Sequence, residues 1–87
     1  MLKTLYVEDQ TRGAVKIIKR GKVWAVYRLD QVIVARDGKR TFKFENRAFE
    51  TWSYPPFEDK DVHGSAELLD FDFIRRWTPH LVQHSVL

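Results

Sequence analysis

The chain of 87 residues contains no cysteine, and its longest uninterrupted apolar run extends only from Val23 to Tyr27. The missing cysteine excludes disulfide frameworks, cysteine-containing zinc sites and thiol catalysis. The apolar run is far shorter than the roughly 20 residues of a membrane-spanning helix. Lys3, Glu8 and Asp9 interrupt any apolar stretch after the first residue, so no signal peptide is predicted. These absences predict a soluble, cytoplasmic protein that does not associate with membranes.

Few residues suit catalysis or the binding of a cofactor. The four glycines are isolated from one another, so no glycine-rich loop can cradle a phosphate. The carboxylates Asp70 and Asp72, like those of the acidic stretch 58–61, lack the apolar enclosure that would separate the pKa values of an acid–base pair. We therefore predict no enzymatic activity and no cofactor.

Three histidines, His63, His80 and His84, are the remaining candidates for metal chemistry. His80 and His84 would share one face of a helix, but Leu81 occupies the position that holds the catalytic glutamate in HExxH metalloproteases. Charged histidines are favourable near the C-terminal end of a helix. We predict surface histidines and no metal site.

Charge is distributed unevenly along the sequence. The formal net charge is +3, but residues 1–47 contain twelve Lys or Arg against five Asp or Glu, whereas residues 48–87 contain three against seven. The first part therefore has a net charge of +7 and the second a net charge of −4. A basic surface of this kind favours an acidic partner.

The sequence pattern of the basic part, residues 1–45, predicts strands. Alternating and β-branched segments predict an antiparallel meander of five strands, over residues 2–8, 14–19, 23–29, 32–36 and 39–45. The predicted turns include Arg20-Gly21-Lys22, Asp30-Gln31 and Asp37-Gly38. Asp-Gly is typical of a two-residue type I′ turn, which would pair Ile33 with Phe42 in the core and Arg36 with Lys39 at the tip.

The sequence pattern of the acidic part, residues 46–87, predicts helices and loops that pack on this meander. Asn46 predicts the start of a helix that ends before Pro55-Pro56, and an acidic loop follows over residues 57–64. Residues 65–77 are compatible with either a helix capped by Ser65 or a strand, and Thr78-Pro79 predicts a last short helix through Val86. The fold class is thus α+β: one domain over residues 1–87, with a basic meander (1–45) and an acidic, aromatic, largely helical or loop part (46–87).

An up-and-down meander would bring two basic turns to the same end of the sheet. The turns would lie two strands apart, which is about 10 Å at ordinary strand spacing. This separation suits neighbouring phosphates of one nucleic acid strand or an acidic protein surface. The predicted binding residues are Lys19, Arg20, Lys22, Arg36, Lys39 and Arg40. Solvated turn charges, or an acidic loop (Glu58, Asp59, Asp61) folded over the basic end, are the alternatives.

Three aromatic residues are candidates for stacking on bases. Trp24 shares a strand face with Arg28, although a covering helix would bury it. Tyr54 and Phe57 flank Pro55-Pro56, a segment that regular structure cannot bury deeply. Trp24, Tyr54 and Phe57 are therefore the predicted stacking residues.

The stretch from Val23 to Ser53, two predicted hairpins followed by a helix with Phe49 and Trp52, resembles the three-stranded-sheet-plus-helix DNA-binding modules of the integrase-arm kind. In those modules the sheet enters the major groove. The resemblance implies DNA binding through the sheet, and the acidic, aromatic part of the chain after Ser53 has no counterpart in those modules.

Two functions from different classes follow from this layout. The first is a non-enzymatic module that binds nucleic acid or a nucleoprotein through the basic end of its sheet. The second is a small stoichiometric protein-binding inhibitor or adaptor, of the phage-like type that mobile elements encode, acting on nucleic-acid machinery. A homodimer formed through exposed aromatic residues is compatible with either.

Overall fold

A computed structural model describes residues 2–78 and 81–84 of the chain. The described part is a small α+β domain with the strands β1 (Leu2–Asp9), β2 (Gly13–Arg20), β3 (Val23–Val34), β4 (Arg40–Phe44), β5 (Glu50–Trp52), β6 (Val62–His63) and β7 (Val82–His84), and the helix α1 (Phe71–Trp77). Short 3₁₀ turns lie at Asp59–Asp61 and Ala66–Leu68. No helix within these ranges is long and apolar enough to span a bilayer.

Strand β3 is the centre of the sheet and runs for 12 residues without a turn. Its first half pairs with β2 on one edge and with β5 on the other, and its second half pairs with β4 and β7. β1 continues the sheet beyond β2, and β6 lies on its far side. The predicted turn at Asp30-Gln31 is therefore wrong, and the two predicted strands that it would join are one strand.

A β-bulge at Asp30 explains the misleading pattern. Leu29 pairs with Phe44 and Gln31 with Lys43, so Asp30 is an extra residue with no counterpart on β4. The extra residue restarts the alternation of side chains, which keeps Leu29 and Val32 on the same face of the sheet. Both are buried, whereas Asp30 is exposed.

The hairpin between β3 and β4 has a three-residue loop instead of the predicted two-residue loop. Val34 pairs with Arg40, and the Ala35 N–H donates to the Lys39 carbonyl. Gly38 has a φ of 86° and supplies the left-handed position that closes such a loop. The register is thus one residue away from the prediction. Val32, not Ile33, pairs with Phe42, and Arg36 does not oppose Lys39.

Two apolar clusters lie on opposite faces of the sheet, one at each half of β3. The first half carries Val7, Val15, Ile17, Val26 and Trp52, covered by Phe49 and Phe57. The second half carries Ala14, Leu29, Val32 and Val34, covered by Ala66, Leu69 and Ile74. Each half of the sheet therefore has one covered face, and the opposite face at the first half exposes Leu2, Thr4, Val23 and Thr51.

The predicted helix after Asn46 is wrong, and with it the resemblance to a sheet-plus-helix module. Phe49 donates its N–H to the Val26 carbonyl, and β5 then pairs with the first half of β3. The spacing of Phe49 and Trp52 suited a helix, but the backbone groups on this edge of β3 need partners. Strand pairing satisfies them and buries Trp52.

Of the two alternatives left open for residues 65–77, the structure has a helix, and it is shorter than one capped by Ser65 would be. α1 begins at Phe71, because the Asp70 carboxylate accepts from the backbone N–H groups of Asp72 and Phe73. Ser65 precedes only a 3₁₀ turn. Val82–His84 forms a parallel strand beside β3, so the last predicted helix is wrong there, and its remaining part, 79–80 and 85–86, lies outside the described residues.

The register of the β3–β4 hairpin can be tested by two alanine substitutions. Val32 is fully buried and Ile33 only partly. We expect Val32→Ala to lower the free energy of unfolding by about 2 kcal/mol through lost burial and a residual cavity, and Ile33→Ala by no more than about 1 kcal/mol. Urea titration followed by tryptophan fluorescence measures both losses. A larger loss for Ile33→Ala would contradict this register.

Candidate functional site

The six predicted basic residues form two separate groups at opposite ends of β3. Lys19, Arg20 and Lys22 flank the turn before β3, whereas Arg36, Lys39 and Arg40 belong to the hairpin after it. A strand of 12 residues places the two turns about 40 Å apart. The molecule is 42 Å long. The single patch predicted from the meander is therefore wrong, because it depended on a turn at Asp30 that does not exist.

The hairpin tip, which we define as Arg36, Lys39 and Arg40, is only partly available to a partner. The Arg40 guanidinium donates to the Glu67 carbonyl at 3.0 Å and lies 5.1 Å from the ring centroid of Phe71. It thereby attaches the hairpin to the segment that covers the second-half cluster. Arg36 and Lys39 are exposed, but the Asp37 carboxylate lies in the same turn and accepts from the Lys39 N–H.

The basic end, defined here as Lys3, Lys19, Arg20 and Lys22, is the denser group of cations. Lys3 pairs directly with Lys19 across β1 and β2, and Arg20 follows next in the ladder. None of the four has a carboxylate within ion-pair distance among the described residues. Lys3 was missed at the sequence level, although the β1–β2 hairpin pattern could have placed it opposite Lys19.

One row of cross-strand neighbours connects the basic end to aromatic side chains. The row runs over four strands on one face of the sheet, in the order Lys3, Lys19, Trp24 and Trp52. The ammonium nitrogen of Lys19 lies 4.7 Å from the Trp24 ring centroid, a cation–π contact. Two cations are thus followed directly by two indoles.

Two of the three candidate stacking residues, Trp24 and Phe57, lie in contact with each other, and Tyr54 lies elsewhere. Phe57 packs edge-on against Trp24 at a centroid distance of 5.7 Å and also contacts Trp52. Both Trp24 and Phe57 are partly buried. Tyr54 is 66% exposed and has no place in this cluster. The structure therefore unites Trp24 and Phe57 and leaves Tyr54 apart.

A cleft of about 400 Å³ opens beside this aromatic pair. Leu5, Trp24 and Val62 line it from the sheet, and Pro55 and Phe57 line it from the loop after β5. Two charged residues, Lys3 and Asp59, also line the cleft. We call this space the aromatic cleft.

The acidic loop does not neutralise the basic end through ion pairs. Glu58 pairs with its neighbour Lys60 at 3.3 Å, and the Asp61 carboxylate accepts from the Glu58 N–H. Asp59 lines the aromatic cleft together with Lys3 but forms no ion pair with it among the described residues. The interpretation of this loop as an internal cover for the basic end is thus not supported.

The opposite end of β2 contains a structural charge network. The Asp9 carboxylate is buried and accepts from the Thr11 and Arg12 N–H groups. The Arg12 guanidinium bonds Glu50 and Asp9 and lies over Trp52 at 5.1 Å. The hydrogen bond with Glu50 raises the pKa of Arg12, against the opposing effect of burial. The guanidinium therefore stays charged and joins the β1–β2 turn to β5.

His63 belongs to β6 and pairs with Tyr6 of β1. Its Nε2 lies 3.0 Å from a Glu8 oxygen, and the same oxygen accepts from the Asp70 N–H at 2.7 Å. Across residues 2–78 and 81–84, no group of three or more metal-binding side chains is gathered. His80 and the side chain of His84 lie outside the described residues.

The chain was compared with protein-family models, with curated protein sequences and with solved structures, and none of the three comparisons gave a match. The site must therefore be interpreted from its own geometry and chemistry.

The division of roles among the predicted arginines can be tested by stability measurements. We expect Arg40→Ala to lower the free energy of unfolding by about 1–2 kcal/mol, since it removes a hydrogen bond and a cation–π contact. Arg36→Ala, at an exposed position of the same hairpin, should change it by less than about 0.5 kcal/mol. Urea titration compares the two variants. Equal effects would show that Arg40 does not anchor the hairpin.

Proposed function

We propose that this protein is a non-enzymatic binding module that engages nucleic acid through the basic end of its sheet. The hairpin tip, about 40 Å away along β3, then makes no contact with a short strand bound at the basic end. The function is thus assigned to Lys3, Lys19, Arg20 and Lys22, a set that keeps three of the predicted residues and adds one.

The observation that carries the proposal is the direct pairing of Lys3 with Lys19. Like charges opposed across an antiparallel pair destabilise a sheet. Arg20 and Lys22 increase the local positive potential, and no carboxylate within the described ranges forms an ion pair with any of the four. Bound phosphates would relieve this repulsion and release counterions, so the charges that weaken the fold would strengthen binding.

The neighbouring aromatic residues distinguish this end from ordinary solvated turns. Proteins that bind single strands combine a basic groove with aromatic rings on which bases stack. In the row from Lys3 to Trp52, cationic and aromatic side chains are adjacent on one face of the sheet. At the hairpin tip, in contrast, the rings near Arg40 are packed against its own guanidinium.

A second candidate function is binding to an acidic protein surface, as a stoichiometric inhibitor or adaptor of nucleic-acid machinery. It is favoured by two large apolar side chains on the other face of the same end. Leu2 is 61% exposed and Val23 is 52% exposed, and both neighbour Arg20 in the ladder. Exposed apolar groups rimmed by charge are typical of protein interfaces, including an interface between two copies of this chain.

The proposal predicts that binding depends on one end of the sheet. In the variant Lys3→Ala/Arg20→Ala/Lys22→Ala, three exposed cations are removed from the basic end. We expect its affinity for a single strand of about eight nucleotides to fall at least tenfold at low salt. The slope of log affinity against log salt should shrink by up to about 2, because each phosphate contact on a single strand contributes about 0.7. Fluorescence anisotropy between about 50 and 200 mM salt measures both quantities.

The matched control removes three exposed cations from the other end. Arg36→Ala/Lys39→Ala/Lys43→Ala has the same net charge as the first variant but leaves the basic end intact. We expect its affinity to stay within about threefold of the original, since only long-range charge is lost. Equal losses in the two variants would mean that net charge alone drives binding. If no nucleic acid binds at low salt, the proposal is wrong, and a pull-down that retrieves one stoichiometric protein partner would support the second candidate.

A further inference from the structure

We infer that the aromatic cleft receives an unpaired base, so that the ligand of the basic end is single-stranded nucleic acid and not a duplex. This inference rests on the proposed function and specifies its ligand class.

The size and lining of the cleft suit a planar aromatic group. A space of about 400 Å³ is within the range of small-molecule pockets, roughly 300–1,000 Å³. Its apolar lining comes from Leu5, Val62 and Pro55 together with the rings of Trp24 and Phe57. Every base has a flat π-face that can stack on such rings regardless of its sequence.

The charges around the cleft suit a nucleotide better than a neutral ligand, because two ammonium groups lie beside it. Lys3 lines the cleft, and Lys19 lies between Lys3 and Trp24 in the same cross-strand row. A base in the cleft would therefore have its phosphate beside two ammonium groups. Asp59, the one carboxylate of the lining, accepts hydrogen bonds only, and the amino groups of cytosine, adenine and guanine can donate them.

The position of the cleft argues against a duplex. Its walls are the sheet on one side and the loop Pro55–Asp59 on the other, so a base must enter between them to reach Trp24. A base within a duplex is stacked and paired, and its extrusion costs a few kcal/mol. A single strand does not pay the pairing part of this cost. Phosphate contacts alone, in contrast, would not discriminate against a duplex, because a duplex carries more closely spaced phosphates.

The test compares three probes of equal length with the unaltered protein: a mixed-sequence single-stranded DNA of about eight nucleotides, the same strand with every base removed, and the corresponding duplex. We expect the abasic strand and the duplex to bind at least fivefold more weakly than the intact strand, which corresponds to the loss of one stacked base. Fluorescence anisotropy at one low salt concentration gives the three affinities.

A substitution in the aromatic cleft tests whether the base stacks there. Phe57→Leu keeps an apolar side chain in the loop but removes the ring, so it should weaken binding of the intact strand about fivefold or more and leave binding of the abasic strand unchanged. The comparison of probes uses the unaltered protein and is therefore independent of how well this variant folds.

The outcomes separate the inference from the proposed function. Equal affinity for the intact and abasic strands, or for single strand and duplex, would overturn the inference while the role of the basic end in binding phosphates would stand. Equal weakening of both strands by Phe57→Leu would also contradict it, because the ring would then act through the fold. Absence of binding to all three probes would overturn both.

Discussion

The continuity of strand β3 is the constraint on which the rest of the structure depends. Twelve residues of one strand supply pairing edges for β2, β5, β4 and β7, so every described strand except β1 and β6 hydrogen-bonds directly to it. Its bulge at Asp30 lets Leu29 and Val32 face the same cluster although they are three positions apart. A small domain thereby builds two apolar clusters, one at each half of a long sheet.

This arrangement also determines where charge and aromatic groups can act together. At the first half, one face of β3 is covered by a loop and not by a helix, and the edge of that cover leaves the aromatic cleft beside Lys3 and Lys19. At the second half, α1 and the preceding 3₁₀ turn cover the cluster, and Arg40 is used to hold them. Two basic groups of similar composition thus have different environments: the basic end lies beside the aromatic cleft, whereas Arg40 of the hairpin tip contacts Glu67 and Phe71.

Elements whose signals are local were predicted correctly, since the strands β1 and β2 and the turn at Arg20-Gly21-Lys22 are confirmed. The loop predicted over residues 57–64 is confirmed only in part, because Val62–His63 pairs with β1 as β6. The sequence-based predictions failed where a long-range partner determines the conformation. Asp30-Gln31 looks like a turn because the bulge breaks the alternation, and only pairing with β4 on one edge and β7 on the other shows that the strand continues. Phe49 and Trp52 have helical spacing, but the free edge of β3 draws them into a strand. The predicted binding residues were grouped into one patch for the same reason, since that grouping required a turn at Asp30-Gln31.

The most direct test of this account is the distance between its two basic turns. Because the chain has no cysteine, the double variant Lys22→Cys/Lys39→Cys can carry two spin labels at exposed positions and no others. Pulsed electron paramagnetic resonance then measures the separation of the labels. A continuous β3 predicts about 40 Å, whereas a turn at Asp30 would bring the two sites to about 10 Å, the spacing of strands two apart. A distance near 10 Å would contradict both the continuity of β3 and the proposal that binding takes place at one end of the sheet.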